Sequence, residues 1–415
     1  MANTRRNLKV GYIVSYPPAK LGDSYVERAM AWYMHRLLSV MPEEGFQYKV
    51  FANRINGEPD YTRVGEHIEI IRCWERRPSF VFKILKAIRD NRPDIIHFQY
   101  EFFEFGTGFA AFLTPLLLLG LRFLGIPVIT GTASLPSLKT INRELLKVYG
   151  LHFVPVFLIQ AIFWFWIRTA AAMSQVVVVA QTGGESFVET LVNEYGVKRE
   201  KLVVTPMPSE ERADKLDYSE ACARLNIAED AKVLLFFGNL AGYKGIELLI
   251  DAFGILARRH PEMQLIIAGG DTPGLKANEG VSYLEVLQKR ALMTGAPIHF
   301  TGFVPDKDIT VYFSAADLLV LPYVAGLSSS GPLVIAMGYD CPFIASTALS
   351  RVIRLESALF KPDVDGLVSK VEVFFSDSNL HMQVLDYIKQ FKHEYSWAQL
   401  AKETAALYQR IPLTP

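Results

Sequence analysis

Residues 237–249 read FGNLAGYKGIELL, and this stretch decides the fold of the C-terminal half of the protein. An apolar run precedes it and a helical pattern follows, which predicts a strand, a glycine-bearing loop and a helix in that order. Gly245 lets the backbone come close at the start of the helix, and Lys244 adds a positive charge there. Free amides and the positive end of a helix favour an anion, so the stretch predicts a phosphate site. The alternative is a plain strand-to-helix turn that carries an exposed lysine.

A second loop of the same kind lies in LPYVAGLSSSGPLVIAMG, residues 321–338. Here a predicted strand leads into three serines, then Gly331 and Pro332, and then an apolar helix. Hydroxyl donors, a glycine that permits close approach and a proline at the first helical position predict another anion site at a helix terminus. Serine capping alone would account for one serine better than for three. Two such loops in one domain predict a diphosphate.

Strand-like and helix-like segments alternate along the chain, which predicts parallel sheets with crossover helices. One series ends in QVVVVAQT and a second begins with KVLLFFGN, and between them TPMPSEERADKL is rich in proline and charge. We therefore expect an α/β protein with a doubly wound, Rossmann-like domain at residues 1–205 and a second at 219–393. A linker at 206–218 would join them, and residues 394–415 would form an amphipathic closing helix.

Composition excludes some classes of partner. The 415 residues include 43 basic and 43 acidic side chains, so no long-range field attracts nucleic acid. The three cysteines lie far apart, a spacing typical neither of a disulfide framework nor of a zinc site, and this favours a reducing, cytoplasmic compartment. The first apolar run is too short and interrupted for a signal peptide, and it predicts a β-strand instead.

Two segments approach the composition of a membrane span, which needs about 20 apolar residues. Residues 109–126 include Arg122, and we expect them to form a helix buried against a sheet. Residues 151–168 have their single formal charge at the last position, Arg168. Two interpretations of this segment stay open: a buried helix, or a helix in the headgroup region anchored by its aromatic rings. The second predicts contact with the inner face of a membrane.

The order of motifs in the C-terminal half resembles the nucleotide-sugar domain of retaining GT-B glycosyltransferases, specifically glycosyltransferase family 4. The resemblance rests on the loop with Lys244, and on IIAGG, IHFTGFVPDKDITVYFSAADLLVLPY, SSSGPLVIAMG and PFIAS. The N-terminal half is similar too, through PDIIHFQYEFFEFG, GIPVIT, VVVVAQT and VETLVNEYGVKREKLVVTPMP. The resemblance spans almost the whole chain. It implies the GT-B fold, in which two Rossmann-like parallel-sheet domains face each other across a cleft.

The resemblance also implies a reaction: transfer of a hexose, with retention, from a nucleoside-diphosphate sugar to a glycan or lipid-linked acceptor, without a cofactor. The diphosphate would lie on the C-terminal domain and the acceptor on the N-terminal one, with the closing helix returning to the first domain. Gly22 lies in a segment that matches the glycine-rich N-terminal loop of the family. The donor contacts that we expect are Gly22, Asn239, Lys244, Gly245, Ser329, Ser330, Gly331, Leu333 and Val334.

Polar side chains alternate in DIIHFQYE, at the carboxyl end of a predicted strand. His97, Gln99 and Glu101 point to one face there, where they would contact hydroxyl groups of the acceptor or the sugar. We take His97 and Glu101 as the candidate catalytic residues. The alternative is a buried histidine bonded to the backbone, with Gln99 and Glu101 capping the next loop.

Several polar groups that are usual in the family are missing from this sequence. The positions concerned are Asn239 or Ala241 for an arginine, Leu327 and Ile335 for two glutamates, and Thr132, Ala180 and Met207 for three histidines. Each preorganised donor that is removed costs a factor of about one hundred to one thousand in rate. The sequence therefore predicts either a weak or divergent hexosyltransferase or an inactive pseudo-glycosyltransferase that acts as a binding or assembly subunit.

An aspartate pair, Asp363 and Asp365 in KPDVDG, resembles the pair that binds a metal and a diphosphate in the other major glycosyltransferase fold. That fold does not match the order of elements here. A loop turn is the better interpretation, and we expect no essential metal.

Overall fold

Two parallel sheets organise the protein, as the alternation of segments predicted. The computed structural model describes residues 7–18, 29–100, 104–105, 113–132, 136–143, 146, 153–180, 186–205, 207–209, 212, 214–271, 282–325 and 330–413. The prediction of two doubly wound α/β domains is confirmed.

The first sheet is built by the N-terminal half. Its strands are β1 (Leu8–Ile13), β2 (Phe46–Asn53), β3 (Tyr61–Val64), β4 (Ile68–Trp74), β5 (Ile95–Gln99), β6 (Val128–Thr132), β7 (Val176–Ala180) and β8 (Leu202–Thr205). They lie in the order β3-β4-β2-β1-β5-β6-β7-β8, and every neighbouring pair is parallel except β3 with β4. Both faces of the sheet are apolar, which is typical of parallel strands covered by helices on each side.

The N-terminal helices described are α1 (Ala29–Val40), α2 (Phe80–Asn91), α3 (Thr114–Phe123), α4 (Val156–Met173) and α5 (Ser186–Asn193). Helices α2, α3, α4 and α5 share one apolar core with the strands. Helix α1 packs into a second core on the other face. Successive strand residues alternate between these cores, as with Tyr12 in the second and Ile13 in the first.

The second sheet is built by the C-terminal half. Its strands are β9 (Lys232–Phe237), β10 (Met263–Ala268), β11 (Ile298–Gly302), β12 (Leu318–Leu321), β13 (Phe343–Ser346) and β14 (Leu359–Phe360). The helices around it are α6 (Tyr218–Leu225), α7 (Ile246–Arg259), α8 (Tyr283–Thr294), α9 (Ile309–Ala315), α10 (Gly331–Gly338), α11 (Val364–Ser376) and α12 (Ser378–Glu394). The order β11-β10-β9-β12-β13-β14 is parallel throughout.

Strand order reverses at one place in each sheet, and these places locate the sites. The neighbours there are β1 and β5 in the first sheet, and β9 and β12 in the second. Loops that leave such neighbours diverge and open a crevice at the carboxyl ends of the strands. The two loops singled out in the C-terminal half follow β9 and β12, so the topology brings them together.

The closing helix, α13 (Trp397–Arg410), packs against α1 of the N-terminal domain. Ser396 caps its first turn by accepting a hydrogen bond from the Gln399 amide at 3.2 Å. The ring of Trp397 lies 6.0 Å from that of Trp32 and 5.4 Å from that of Tyr33. The buried face of α13 consists of Trp397, Leu400, Ala401, Thr404, Ala405 and Tyr408.

The chain crosses between the domains twice, and backbone hydrogen bonds join the two crossings. The Ser209 amide, beyond β8, donates to the Tyr395 carbonyl at 2.9 Å, just before α13. The Ser209 hydroxyl donates to the Val334 carbonyl of α10 at 3.0 Å. The Arg212 amide donates to the Gly338 carbonyl at 3.0 Å. The described part of the linker is therefore held to the C-terminal domain.

Helices α3 and α4 each have an exposed outer side. Leu117, Leu118 and Leu121 of α3 are buried against the sheet, as predicted, whereas Leu116 and Phe123 on its outer side are exposed. Within the described residues, α4 is the helix whose length and apolar composition would suffice to cross a bilayer.

Candidate functional site

The loop after β9 is shaped by glycines at positions where other residues do not fit. Gly238 has a φ of 118° and Gly245 a φ of 67°, both in the left-handed region that favours glycine. A Cβ atom on Gly245 would overlap the carbonyl oxygen of Pro322, which lies just beyond β12. The Val324 amide donates to the Tyr243 carbonyl at 2.9 Å, so the two loops are also hydrogen-bonded.

Lys244 is buried where these loops meet. Its side chain is 7% exposed, and its Nζ lies 6.0 Å from the ring centre of Phe236 and 5.9 Å from that of Tyr323. No carboxylate of a described residue lies within ion-pairing distance of this Nζ. Burial lowers the pKa of Lys244 to about 8. A buried cation without a carboxylate partner is costly, and a bound anion would relieve that cost.

The second loop places the amino end of α10 close to Lys244. Ser330 caps the helix, and its Oγ accepts from the Leu333 amide at a long 3.4 Å. The Val334 amide donates to the Ser330 carbonyl at 3.2 Å, so within the protein this amide is used inside α10. Pro332 has no N–H, and the Gly331 amide has no acceptor among the described residues. The amino end of α10 can therefore donate a hydrogen bond to a ligand from the Gly331 amide. The Leu333 amide is a second donor, since its bond to Ser330 is long.

Three elements converge on one point. A Cβ atom placed on Gly238 would lie 3.0 Å from Lys244 Nζ and 3.2 Å from Cγ of Pro332. No atom of a described residue lies within 4 Å of a Cβ placed on Gly331. Asn239 lies exposed in the same loop. Of the predicted donor contacts, Gly22 and Ser329 lie outside the described residues.

Comparison with known proteins accounts for this arrangement. A family model described as Glycosyltransferase Family 4 matches residues 30–208, and one described as Glycosyl transferases group 1 matches residues 231–377. The chain belongs to the GT-B glycosyltransferases of the family-4 type. The two models divide the chain at the linker, between the two sheets.

Similar proteins support both the family and the fold. Mannosylfructose-phosphate synthase of Agrobacterium fabrum is 23% identical over 410 residues, covering 94% of this chain and 84% of its own. The Bacillus subtilis protein YtcC is 41% identical over 200 residues, 45% of this chain and about half of its own. The sucrose-phosphate synthase structure from Thermosynechococcus elongatus aligns with a TM-score of 0.71 at 19% identity, covering 97% of this chain and 99% of that one. The GT-B fold is confirmed.

An Anabaena protein, HepE, has a similar fold and was solved in complex with UDP and glucose. Its TM-score is 0.67 at 15% identity, with 98% of this chain and all of that chain covered.

On the N-terminal side of this family-4 type chain, His97 is covered by the closing helix. Its Nδ1 lies 2.6 Å from the hydroxyl of Tyr408, which lies 2.6 Å from the hydroxyl of Tyr12. The imidazole stacks on the Tyr12 ring at 5.3 Å, and burial lowers the pKa of His97 to about 4. His97 is therefore a neutral packing group. Its predicted catalytic role stays a prediction, with Nδ1 already bonded to Tyr408. The other catalytic candidate, Glu101, lies outside the described residues.

Nε2 of His97 faces a small pocket and has no hydrogen-bond partner among the described residues. The accessible volume is about 20 Å³, enough for one water molecule. Thr132 and Ala180, where this chain lacks histidines usual in the family, line the same pocket. Their small side chains leave room beneath α13 where imidazoles would otherwise lie.

Acid should destabilise the protein through His97. Its pKa falls from the usual 6.5 to about 4 on folding, so the unfolded chain binds the proton more readily. The stability contributed by neutral His97 is complete above pH 6.5 and is lost as the pH falls towards 4. We expect His97→Gln to reduce the loss of unfolding free energy over this range by about 2–3 kcal/mol. Denaturant titrations at several pH values measure it, with the exposed His299→Gln as matched control; equal slopes for His97→Gln and the parent would contradict the assignment.

The sequence missed two sets of residues near these sites. Tyr323 packs over Lys244, and its hydroxyl lies 3.4 Å from Oγ of Ser330. Arg72, buried in β4, donates to the carbonyl of Tyr16 at 3.0 Å and to that of Pro17 at 2.6 Å. It therefore holds the chain that leads towards residue 19. A signal was present, since Arg72 lies in phase with the inward residues of IEIIRCW, where a charge is unusual.

The aspartates lie at the start of α11 rather than in the predicted loop turn, with Asp365 in the first helical turn. Asp363 caps α11, its Oδ1 accepting from the Gly366 amide at 2.8 Å. Lys361 Nζ lies 2.5 Å from the other oxygen of the same carboxylate. The positive partial charge of the helix end and the charge of Lys361 both stabilise the ionised carboxylate of Asp363.

At a position where the family usually has a glutamate, Ile335 is half-buried and packs against the C-terminal core. An isoleucine accepts no hydrogen bond from a sugar or ribose hydroxyl. The other such position, Leu327, lies outside the described residues.

Proposed function

We propose that the protein is a retaining glycosyltransferase that moves a hexose from a nucleoside-diphosphate sugar to a glycan or lipid-linked acceptor. The observation that carries the proposal is Lys244, a buried cation without a carboxylate partner among the described residues. It lies where the glycine loop and the amino end of α10 meet. A diphosphate is an anion of the right charge and span for these groups. HepE, which shares the fold, was solved with UDP-glucose.

The chemistry follows from the position of these groups. As the glycosidic bond to the diphosphate breaks, negative charge grows on the leaving oxygen. Lys244, protonated and buried, and the Gly331 amide are preorganised to stabilise that charge. The arginine that is usual in the family is missing from this loop, where the chain has Asn239 or Ala241. We therefore propose slow turnover. Binding is less affected than rate, since Lys244 and the helix end remain.

We place this reaction in the cytoplasm, at the inner face of the membrane. A lipid-linked acceptor would present its glycan there. The exposed aromatic side chains of α4 support this placement, since Phe157 and Phe165 face the solvent.

A second candidate function is a pseudo-glycosyltransferase that binds the nucleotide sugar without turnover and acts as a binding or assembly subunit. It is favoured by Ile335, which the core holds in place of a usual carboxylate. This candidate shares the donor site with the first and differs only in the absence of product.

Release of nucleotide distinguishes the two functions. Purified protein is incubated with a panel of nucleotide sugars, and free nucleoside diphosphate is counted. We expect release with at least one donor and its loss in Lys244→Ala. Binding by calorimetry without release from any donor would favour the subunit. No binding of any donor or nucleoside diphosphate would contradict both functions.

A further inference from the structure

The outer face of α4 is apolar except for Arg168 near its carboxyl end. Its exposed positions recur at helical spacing and include Phe157, Leu158, Trp164 and Phe165, of which Phe157 is 71% exposed. The helix is nevertheless well placed on the domain, because Trp166, Ile167, Ala170 and Ala171 on its inner face are buried in the core. In a soluble domain, the outer face of such a helix is normally polar.

Helix α3 packs beside α4 and extends this face. Leu116, Leu119 and Phe123 of α3 point outward, and Phe123 is 82% exposed. We call the combined patch the α3–α4 surface; its residues are Leu116, Leu119, Phe123, Phe157, Leu158, Trp164 and Phe165. Contiguous exposed patches of this kind mark interaction sites rather than ordinary surface.

Within α3 and α4, all charged side chains are positive. Neither helix contains Asp or Glu, and their only charged residues are Arg122 and Arg168. The Arg168 guanidinium lies 4.9 Å from the ring centre of Trp164 and donates to the Tyr195 carbonyl at 3.1 Å. An arginine held against an exposed tryptophan is the arrangement that anchors proteins at the headgroup level of a bilayer.

A third cation lies where α4 ends. Lys201 Nζ donates to the Ala171 carbonyl at 2.8 Å and to the Ser174 carbonyl at 2.9 Å. Burial, then the neighbouring charges of Lys198 and Arg122, lower the pKa of Lys201, while Glu200 acts in the opposite direction. The pKa change shows that these cations are close enough to interact. The apolar surface therefore has a cationic edge.

We propose that the α3–α4 surface docks the protein onto an anionic lipid bilayer, with α4 lying in the plane of the interface. Aromatic and aliphatic side chains enter the headgroup boundary, and the arginines contact lipid phosphates. A second copy of this chain is a poorer partner, because it would bring the same cations face to face. A membrane-spanning arrangement would remove Trp166 and Ile167 from the core of the domain.

Vesicle flotation tests this proposal. The full chain is mixed with vesicles of phosphatidylcholine alone or of phosphatidylcholine with phosphatidylglycerol. We expect flotation with the anionic vesicles, and a loss of at least about tenfold in partitioning for the double variant Trp164→Ser, Phe165→Ser. The matched control is Leu292→Ser, Met293→Ser, at positions on α8 that are 81% and 88% exposed, and it should float like the parent.

Three outcomes would overturn the proposal: no flotation of the parent protein, equal flotation of the α4 double variant, or equal partitioning into neutral vesicles. Sedimentation without lipid tests whether a second copy of the chain covers the surface instead. If the parent protein is a dimer and the α4 double variant is a monomer, the surface is a dimer interface. Docking does not depend on the donor site. Lys244→Met should therefore float like the parent, which separates failure of this proposal from failure of the proposed function.

Discussion

Replacing Lys244 by methionine is expected to stabilise the folded protein and to abolish most of its affinity for a nucleoside diphosphate. Folding lowers the pKa of Lys244 from 10.5 to about 8, because burial disfavours the charged form. At pH 7 the lysine is charged in both states, so the folded protein carries the whole penalty. The penalty disappears as the pH rises from 8 to 10.5. Methionine fills the same space without charge and should raise the free energy of unfolding at pH 7 by about 1–3 kcal/mol.

Binding should change in the opposite direction. Loss of the charge–phosphate contact is expected to weaken binding of a nucleoside diphosphate by about 10- to 100-fold. In the parent protein, affinity should fall as the pH rises above about 8, where free Lys244 loses its proton. Calorimetry and denaturant unfolding measure the two effects, with Lys289→Met on the exposed face of α8 as matched control. Unchanged affinity in Lys244→Met would remove Lys244 from the donor site.

Gly245→Ala is expected to disrupt the site. Gly245 has a φ of 67°, and the added Cβ would overlap the Pro322 carbonyl oxygen of the neighbouring loop. Gly295 has the same φ of 67° but no atom within 4 Å of a Cβ, so Gly295→Ala isolates the backbone cost of about 1 kcal/mol. The difference between the two variants measures the clash.

We expect Gly245→Ala to lose about 3 kcal/mol or more of unfolding free energy, or to move the loop and lose nucleotide binding. Thermal unfolding and calorimetry on both alanine variants provide the comparison. Equal stability and equal nucleotide affinity of the two variants would show that the loops after β9 and β12 do not pack as described.

Local chemistry was enough to predict the elements that frame the donor site. Three glycines between an apolar run and a helical pattern predict the loop after β9. Ser330 and Pro332 predict the start of α10. Caps, turns and periodic patterns depend on residues that are close in sequence, so a single sequence contains the information. The same applies to α13, which the pattern predicted as an amphipathic helix and which has one buried face.

Which side chains are covered, and by what, depended on contacts between distant segments. His97 was predicted to face a substrate, but it is bonded to Tyr408, which is 311 positions away in the chain. Lys244 was the expected donor contact, yet its burial between Phe236 and Tyr323 follows from the adjacency of β9 and β12. No local pattern specifies such a pairing.

By itself, then, the sequence determined the alternation of strands and helices, the two glycine-containing loops and the family to which they belong. These depend on backbone preferences and side-chain spacing within single segments. Only the tertiary structure decided that His97 is neutral beneath α13, that the Val334 amide is used inside α10, and that the outer face of α3 remains exposed. Burial sets the pKa values and free donors of a site, and burial is a property of packed elements rather than of any one segment.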